Sequence, residues 1–196
     1  VAPDGTVEWS AETDTASGER GIHGTPTIAN GTVYVGAYDG ILYAFDLADG
    51  SREWKAQLGD AIGSSPKYHD GTVYVAVEYI PANGSVVAVD AGTGDPVWSG
   101  TWPRDHPHST LAIDVEAGKL VVGSNDGHLY AWEYPSLERA WRFATRGVRQ
   151  SETYVDVKGP VTTYAGAAYF GSWDHRVYRV DLETGTEDWS YRTGDA

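Results

Sequence analysis

A chain of 196 residues with 14 Lys and Arg against 28 Asp and Glu carries a formal charge of −14. That argues against nucleic acid, which is bound by neutralising phosphates with Lys and Arg, and against an anionic lipid surface. There is no cysteine, so disulfides, thiolate metal ligands and thiol nucleophiles are excluded.

No apolar run of about 18 residues is present to make a membrane-spanning helix. Methionine is also absent, hence an initiator, and the chain reads as a processed product or a piece of something longer. Only Lys55, Lys67, Lys119 and Lys158 are lysines. Such an acidic, lysine-poor surface suits an ordinary acidic protein or one kept in solution at high salt.

In chain order, residues 4–9 read as the tail of a repeated unit, an outer strand ending near Trp9. The first full unit predicts a short strand over 25–29, a turn at Asn30-Gly31, and a strand over 32–37 that alternates with period two. Asp39-Gly40 is a two-residue hairpin signal. Residues 41–45 return, 46–50 turn again, and 53–56 form a fourth strand.

The second unit predicts strands over 66–69, 72–77, 85–89 and 97–99. The third predicts 110–114, 119–123, 128–132 and 139–143, and the fourth 161–164, 167–171, 176–180 and 187–191. No helical period stands out anywhere. Trp9, Trp54, Trp98, Trp141 and Trp189 close the units at intervals of 45, 44, 43 and 48 residues, a spacing that chance does not produce.

Four antiparallel strands per unit of about 45 residues describe a β-propeller blade. Kelch blades carry Gly-Gly pairs, and this chain has none. The Trp-Asp pair Trp173-Asp174 lies at a hairpin turn, not at a strand end as in WD40 blades. The expected fold is all-β: a β-propeller of four-stranded antiparallel blades, with four whole blades plus one extra N-terminal outer strand. Residues 1–196 then form a single propeller or part of one.

The unit ends on a recurring phrase. Ala88-Val89-Asp90-Ala91-Gly92-Thr93-Gly94-Asp95-Pro96-Val97-Trp98 states it in full, Ala44 to Trp54 and Asp181 to Trp189 repeat it, and Leu129 to Trp141 degrades it with Glu133 and Pro135-Ser136. This pattern resembles the tryptophan-docking repeat of the pyrroloquinoline quinone (PQQ)-type propellers over essentially the whole chain. That family includes quinoprotein alcohol dehydrogenases and the non-catalytic propeller lipoprotein of the outer-membrane β-barrel assembly machinery.

The resemblance implies that Trp54, Trp98, Trp141 and Trp189 pack between adjacent blades, each ring against its neighbour's turn. Members with this motif often have eight blades, which makes the chain about half a ring. Three outcomes are open: a fragment of a longer chain (the preferred reading), two copies completing a larger ring, or a small closed ring with a spare strand.

Because chain direction alternates, the connections between blades and the second-to-third-strand hairpins share one face. The long connections 10–24 and 142–160 and the enlarged hairpin 78–84 all map there. Insertions in repeat proteins tend to mark the binding face; neutral drift in surface loops is the plainer account.

Arg139, Arg142, Arg146 and Arg149 cluster in or beside one insertion. Guanidinium groups suit a carboxylate or phosphate ligand or an acidic partner; internal charge balance is the alternative. His23, His106, His108, His128 and His175 map to the same face, and His69 to the other. His106-Pro107-His108 could present two imidazoles to a divalent metal, but only Asp105 stands beside them and no metal site is expected. The candidate ligand- or partner-binding residues are Arg142, Arg146, Arg149, His23, His106 and His108.

In the resembling enzymes an Asp base works near a calcium held by Glu and Asn, and a vicinal cysteine pair covers the cofactor. This chain has no such pair, and Glu152, Asp156 and Lys158 match no motif. Gly-x-Ser-x-Gly elbows and phosphate-cradling loops are absent. The expected function is a non-catalytic PQQ-like scaffold that binds a protein or small anionic ligand through its inserted loops, with no catalytic residue and no cofactor. A PQQ-dependent dehydrogenase fragment using PQQ and calcium is the alternative. Asn30-Gly31-Thr32 and Asn83-Gly84-Ser85 match the glycosylation pattern, although Asn-Gly is also an ordinary turn choice. Resemblance, acidity and sequons together point to an extracytoplasmic location: cell surface, periplasm or secreted.

Overall fold

Segments such as Thr-Val-Tyr-Val-Gly combine β-branched and aromatic side chains with flanking turn residues, and each pairs with the next strand in the chain. The computed structural model describes residues 4–14 and 21–194. Blade one is β1 (Thr27–Ala29), β2 (Thr32–Gly36), β3 (Ile41–Asp46) and β4 (Arg52–Gln57). Blade two is β5 (Lys67–His69), β6 (Thr72–Tyr79), β7 (Asn83–Asp90) and β8 (Pro96–Thr101).

Blade three is β9 (Ala112–Asp114), β10 (Lys119–Gly123), β11 (His128–Glu133) and β12 (Arg139–Ala144). Blade four is β13 (Thr162–Tyr164), β14 (Ala167–Ser172), β15 (Arg176–Asp181) and β16 (Glu187–Arg192). Each is a separate antiparallel sheet with its strands in chain order, and among the described residues no helix is long and apolar enough to cross a membrane.

Two local expectations are corrected. The segment 78–84 is mostly strand, since Glu78 pairs with Gly84 and Tyr79 with Asn83, leaving a turn at 80–82. The connection after β12 contains one helical turn, α1 (Arg146–Arg149), where Thr145 accepts a hydrogen bond from the Val148 amide. Four residues are too few to show a helical period. Residues 15–20 of the first long connection lie outside the described residues.

The sheets stack face to face through apolar side chains. Tyr34, Leu42 and Ala44 of blade one meet Val73, Val75, Val87 and Val89 of blade two. Ala76, Val86 and Ala88 meet Leu120, Val122, Tyr130 and Trp132. Val121, Leu129 and Phe143 meet Ala168, Phe170, Tyr178 and Val180. Each fully buried Val or Leu among them contributes about 1.5–3 kcal/mol, so neighbours, and not single blades, hold the fold.

The repeated phrase acts at these junctions. Its Asp closes the turn: Asp90 Oδ1 accepts from the Gly92 and Thr93 amides at 2.9 Å each, and Asp46 and Asp181 do likewise. Its Gly makes room: a Cβ on Gly94, which has φ +77°, would lie 2.6 Å from the Trp54 ring of the preceding blade. The Trp54 indole N–H donates to the Ala91 carbonyl at 3.0 Å. Trp141 repeats this on Gly185 and the Leu182 carbonyl, at 2.9 Å. Trp9 repeats it on Gly50 and the Leu47 carbonyl, also at 2.9 Å. The segment around Trp9 forms no ladder with any described strand, so the expected outer strand is present through its tryptophan alone.

Two tryptophans depart from the expectation. In blade three the glycine position is Leu137, held at φ 59°, and Leu137 and Trp98 pack against one core cluster. Trp98 instead meets Trp132 edge-on at 6.0 Å. Trp189 has no described blade beyond it and is 44% exposed, with Tyr191 at 70%. They share a sheet face with Tyr169 and Val177, at the register that in blade one, with Tyr34 and Trp54, is covered by the next blade.

Candidate functional site

The loop face is built on one device, repeated. In the β2–β3 hairpin Asp39 accepts from the Ile41 amide at 3.0 Å and from the Tyr43 hydroxyl at 2.6 Å. Asp126 and Tyr130 form the same pair in blade three, and Asp174 and Tyr178 in blade four. Each pair receives the connection arriving from the preceding tryptophan. Asp14 N donates to Tyr43 Oη at 2.9 Å, Arg104 N to Asp126 Oδ2 at 3.3 Å, and Arg146 N to Tyr178 Oη at 2.8 Å.

Blade two lacks the Asp, and Tyr79 Oη donates to the Leu58 carbonyl at 3.1 Å instead. Burial and the partner carboxylate push Tyr43 up to about 12 and Tyr130 and Tyr178 upward as well. These phenols therefore stay protonated and serve as braces, not as acids or bases at neutral pH.

The arginines are largely spent inside the chain. Arg146 Nη2 lies 2.6 Å from Glu187 Oε1, and Arg149 Nη2 2.7 Å from Glu187 Oε2. Burial alone would raise Glu187, but hydrogen bonds from these two arginines overcome it and bring the carboxyl to about 2. Arg139 donates to the Thr101 carbonyl at 2.7 Å and lies 5.1 Å over Trp102. Arg142 is exposed on β12. For Arg146 and Arg149 the charge-balance alternative describes what the fold does with them.

The histidines divide. His69 contacts the Tyr134 hydroxyl at 2.6 Å on the opposite face. His128 sits against Asp126. His175 lies beside Trp173 and Tyr154. His106 and His108, in the connection between blades two and three, converge on Glu78 near the end of β6. His108 Nδ1 is 3.3 Å from Glu78 Oε1, and His106 Nδ1 is 3.6 Å from Oε2. Tyr38, from the β2–β3 hairpin of blade one, brings its hydroxyl 3.1 Å from His108 Nδ1, and the His23 ring packs 4.2 Å from the Tyr38 ring.

Glu78 is 4% exposed. Burial lowers His108 below the usual imidazole value; Glu78 opposes the shift, while Lys158, His106 and His23 add to it. His23, His106 and His108 thus come together, whereas Arg142, Arg146 and Arg149 belong to β12 and α1.

The family described as outer membrane protein assembly factor BamB matches residues 1–101 and again 82–196. The chain belongs to this PQQ-like β-propeller family. It is 31% identical over 159 residues to quinohemoprotein alcohol dehydrogenase ADH-IIG of Pseudomonas putida, covering 71% of this chain and 21% of the enzyme. It is 28% identical over 197 residues to the assembly factor BamB of Shewanella oneidensis, covering 96% of this chain and 46% of that protein. The crystal structure of BamB from Moraxella catarrhalis superposes with a TM-score of 0.71 at 18% identity, covering 95% and 53% of the two chains. The chain thus spans less than half the length of these two sequence relatives.

Membership of a PQQ-like family raises the question of whether the donors around Glu78 suit its cofactor. Calcium takes six to eight oxygen ligands. The cluster offers one carboxylate, two imidazoles and a phenol, and the chain has no cysteine to cover a quinone. These residues do not fit PQQ with calcium.

Sequence reasoning missed Glu78 because it fell within an expected loop, and missed Tyr38 because nothing marks a tyrosine beside a hairpin. One signal was available: Glu78 interrupts the apolar run Val73 to Val77, where an unpaired charge would be costly. It also passed over Trp173 as a false WD40 signature. Trp173 is 49% exposed and Tyr154 65% exposed, and the Lys158 ammonium lies 4.1 Å over the Trp173 ring.

Proposed function

We propose that this chain is a non-catalytic scaffold that holds a protein partner on its loop face, outside the cytoplasm. The observation that carries the reading is the exposed pair Trp173, in the β14–β15 hairpin, and Tyr154, on the connection that is fixed to that hairpin at several points. Gly147 N donates to Asp174 Oδ2 at 2.9 Å, Ser172 Oγ to the Val155 carbonyl at 2.9 Å, and Trp173 N to the Asp156 carbonyl at 2.9 Å. Exposed tryptophan and tyrosine on a rigid support are characteristic anchors of protein interfaces, because they bury much area at little entropic cost.

The pairing of Arg146 and Arg149 with Glu187 weakens the case for a small anionic ligand. A relative described as an outer membrane protein assembly factor supports both the scaffold role and the location. A second copy, or further blades, would cover the bare face of blade four.

The test places a photo-crosslinking residue at Trp173 and, as a control on the opposite face, at Asp70. A discrete adduct from position 173 alone is expected. Equal yields from both positions, or a stoichiometric absorbance change on adding PQQ and calcium to the native chain, would sink the scaffold reading.

A further inference from the structure

We propose that Glu78, His106 and His108 form a binding site for one divalent transition-metal ion of the zinc class, with Tyr38 at its rim. The first support is composition. Two imidazoles with one carboxylate make a donor set suited to such ions, and one ligand atom from each residue lies within 4.8 Å of the others. Three ligands leave a position open to water or to a group on a partner.

The second support is a buried carboxylate oxygen with no hydrogen bond. Glu78 Oε1 is buried without a hydrogen-bond partner, and such a group is costly unless something cationic meets it. The third is tautomeric. His106 Nε2 lies 3.2 Å from the Tyr79 carbonyl, which can only accept, so Nε2 carries the hydrogen. Nδ1 of the neutral ring then turns its lone pair toward Glu78, an arrangement that a metal ion resolves. This is the orienting bond that metal-binding imidazoles commonly make through their second nitrogen.

The fourth support is convergence. A Cβ on Gly63 would lie 2.6 Å from His108 Nδ1, 2.9 Å from Glu78 Oε1 and 3.0 Å from the Tyr38 hydroxyl. Three polar atoms converge where a side chain is missing. The ligands come from blade two and the connection leading to blade three, and the rim from blade one, so an ion there would also tie these parts together. The site does not depend on the scaffold reading.

The test is titration of the full chain, freed of metal by chelator, with zinc alone by calorimetry and with cobalt by visible absorption. One equivalent per chain is expected, with a rise in Tm on zinc addition. His106→Ala, His108→Ala and the near-isosteric Glu78→Gln should each lower zinc affinity by about 100-fold or more, and Tyr38→Phe by about 10-fold. His175→Ala should bind as the native chain does, and near-UV circular dichroism checks that each variant is folded. No stoichiometric binding, equal binding by native chain and folded His108→Ala, or displacement of zinc by excess calcium would overturn the proposal.

Discussion

Glu187 is exposed by only 11% and holds two arginines that are each nearly half exposed. Its carboxyl titrates near 2 when folded against an ordinary 4.5. The stability it lends is therefore fully present above pH 4.5 and is lost as pH falls from 4.5 toward 2. Glu187→Gln should cost about 1 kcal/mol at pH 7, the arginines being screened by water. The variant should also lose less stability than the native chain between pH 4.5 and pH 2, read by urea unfolding at each pH.

At this scale the sequence was least informative. That Arg146 and Arg149 would close on a glutamate 38 residues or more away is decided by the path of α1, and nothing in their local sequence specifies it. His106 and His108 were legible as a pair because they stand two residues apart in the chain. Glu78 was not, because its approach requires the antiparallel register of β6 and β7 to be known first.

At the scale of the element, the repeat predicted all sixteen strands, since period-two alternation and Asn-Gly or Asp-Gly turns are local signals. The bounds moved mainly where pairing extended a strand, as in β6 and β7. What local signals could not show is that junctions differ. Between blades one and two the connection meets no Asp–Tyr pair and is held instead by the Tyr79 hydroxyl on the Leu58 carbonyl and by the Asp60 and Ala61 amides on the Glu78 carbonyl, beside Trp54 on Gly94. Between blades three and four, Trp141 on Gly185 is backed by Asp174 and Tyr178.

Alanine at either glycine creates a similar clash, with ring atoms 2.6 Å and 2.5 Å from the new Cβ. Gly94→Ala should cost about 2–4 kcal/mol from left-handed strain and overpacking. Gly185→Ala should cost a similar amount, because a hydrogen-bonded connection backs the tryptophan at both junctions. Urea midpoints of the two variants check this, and a clearly larger loss at Gly94 would show that the Asp–Tyr pair holds its junction more firmly than Tyr79 and Glu78 hold theirs.

For the whole molecule, the decisive feature is the bare face of blade four. Tyr169, Val177, Trp189 and Tyr191 occupy a sheet face whose counterpart in blade one is buried, and uncovered sheet faces favour association. If a second copy covers it, the chain should sediment above its monomer mass, and Trp189→Asp combined with Tyr191→Asp should return it to the monomer. A monomer in the native chain would leave further blades as the covering element. The family was legible from the recurring phrase alone, whereas the partner surface was not, because Tyr154 lies where the repeat is interrupted and Trp173 in a hairpin turn that the phrase does not reach.

The pairing of each tryptophan and its following connection with the next blade's turn and hairpin carries one more consequence. Every repeat bears both halves of a coupling, a plug at its end and a socket at its start, so a duplicated unit can join the row without redesign. Each of the three junctions between whole blades keeps at least one of two fastenings: the second lacks its glycine seat, the first lacks its carboxylate seat, and the third has both. Redundancy of this kind lets individual copies drift while the row stays joined, which accounts for a third repeat degraded in sequence yet intact as a blade. It also frees the connections themselves to lengthen and diversify, and in this chain they did so where the loop face gathers its histidines and its exposed aromatics.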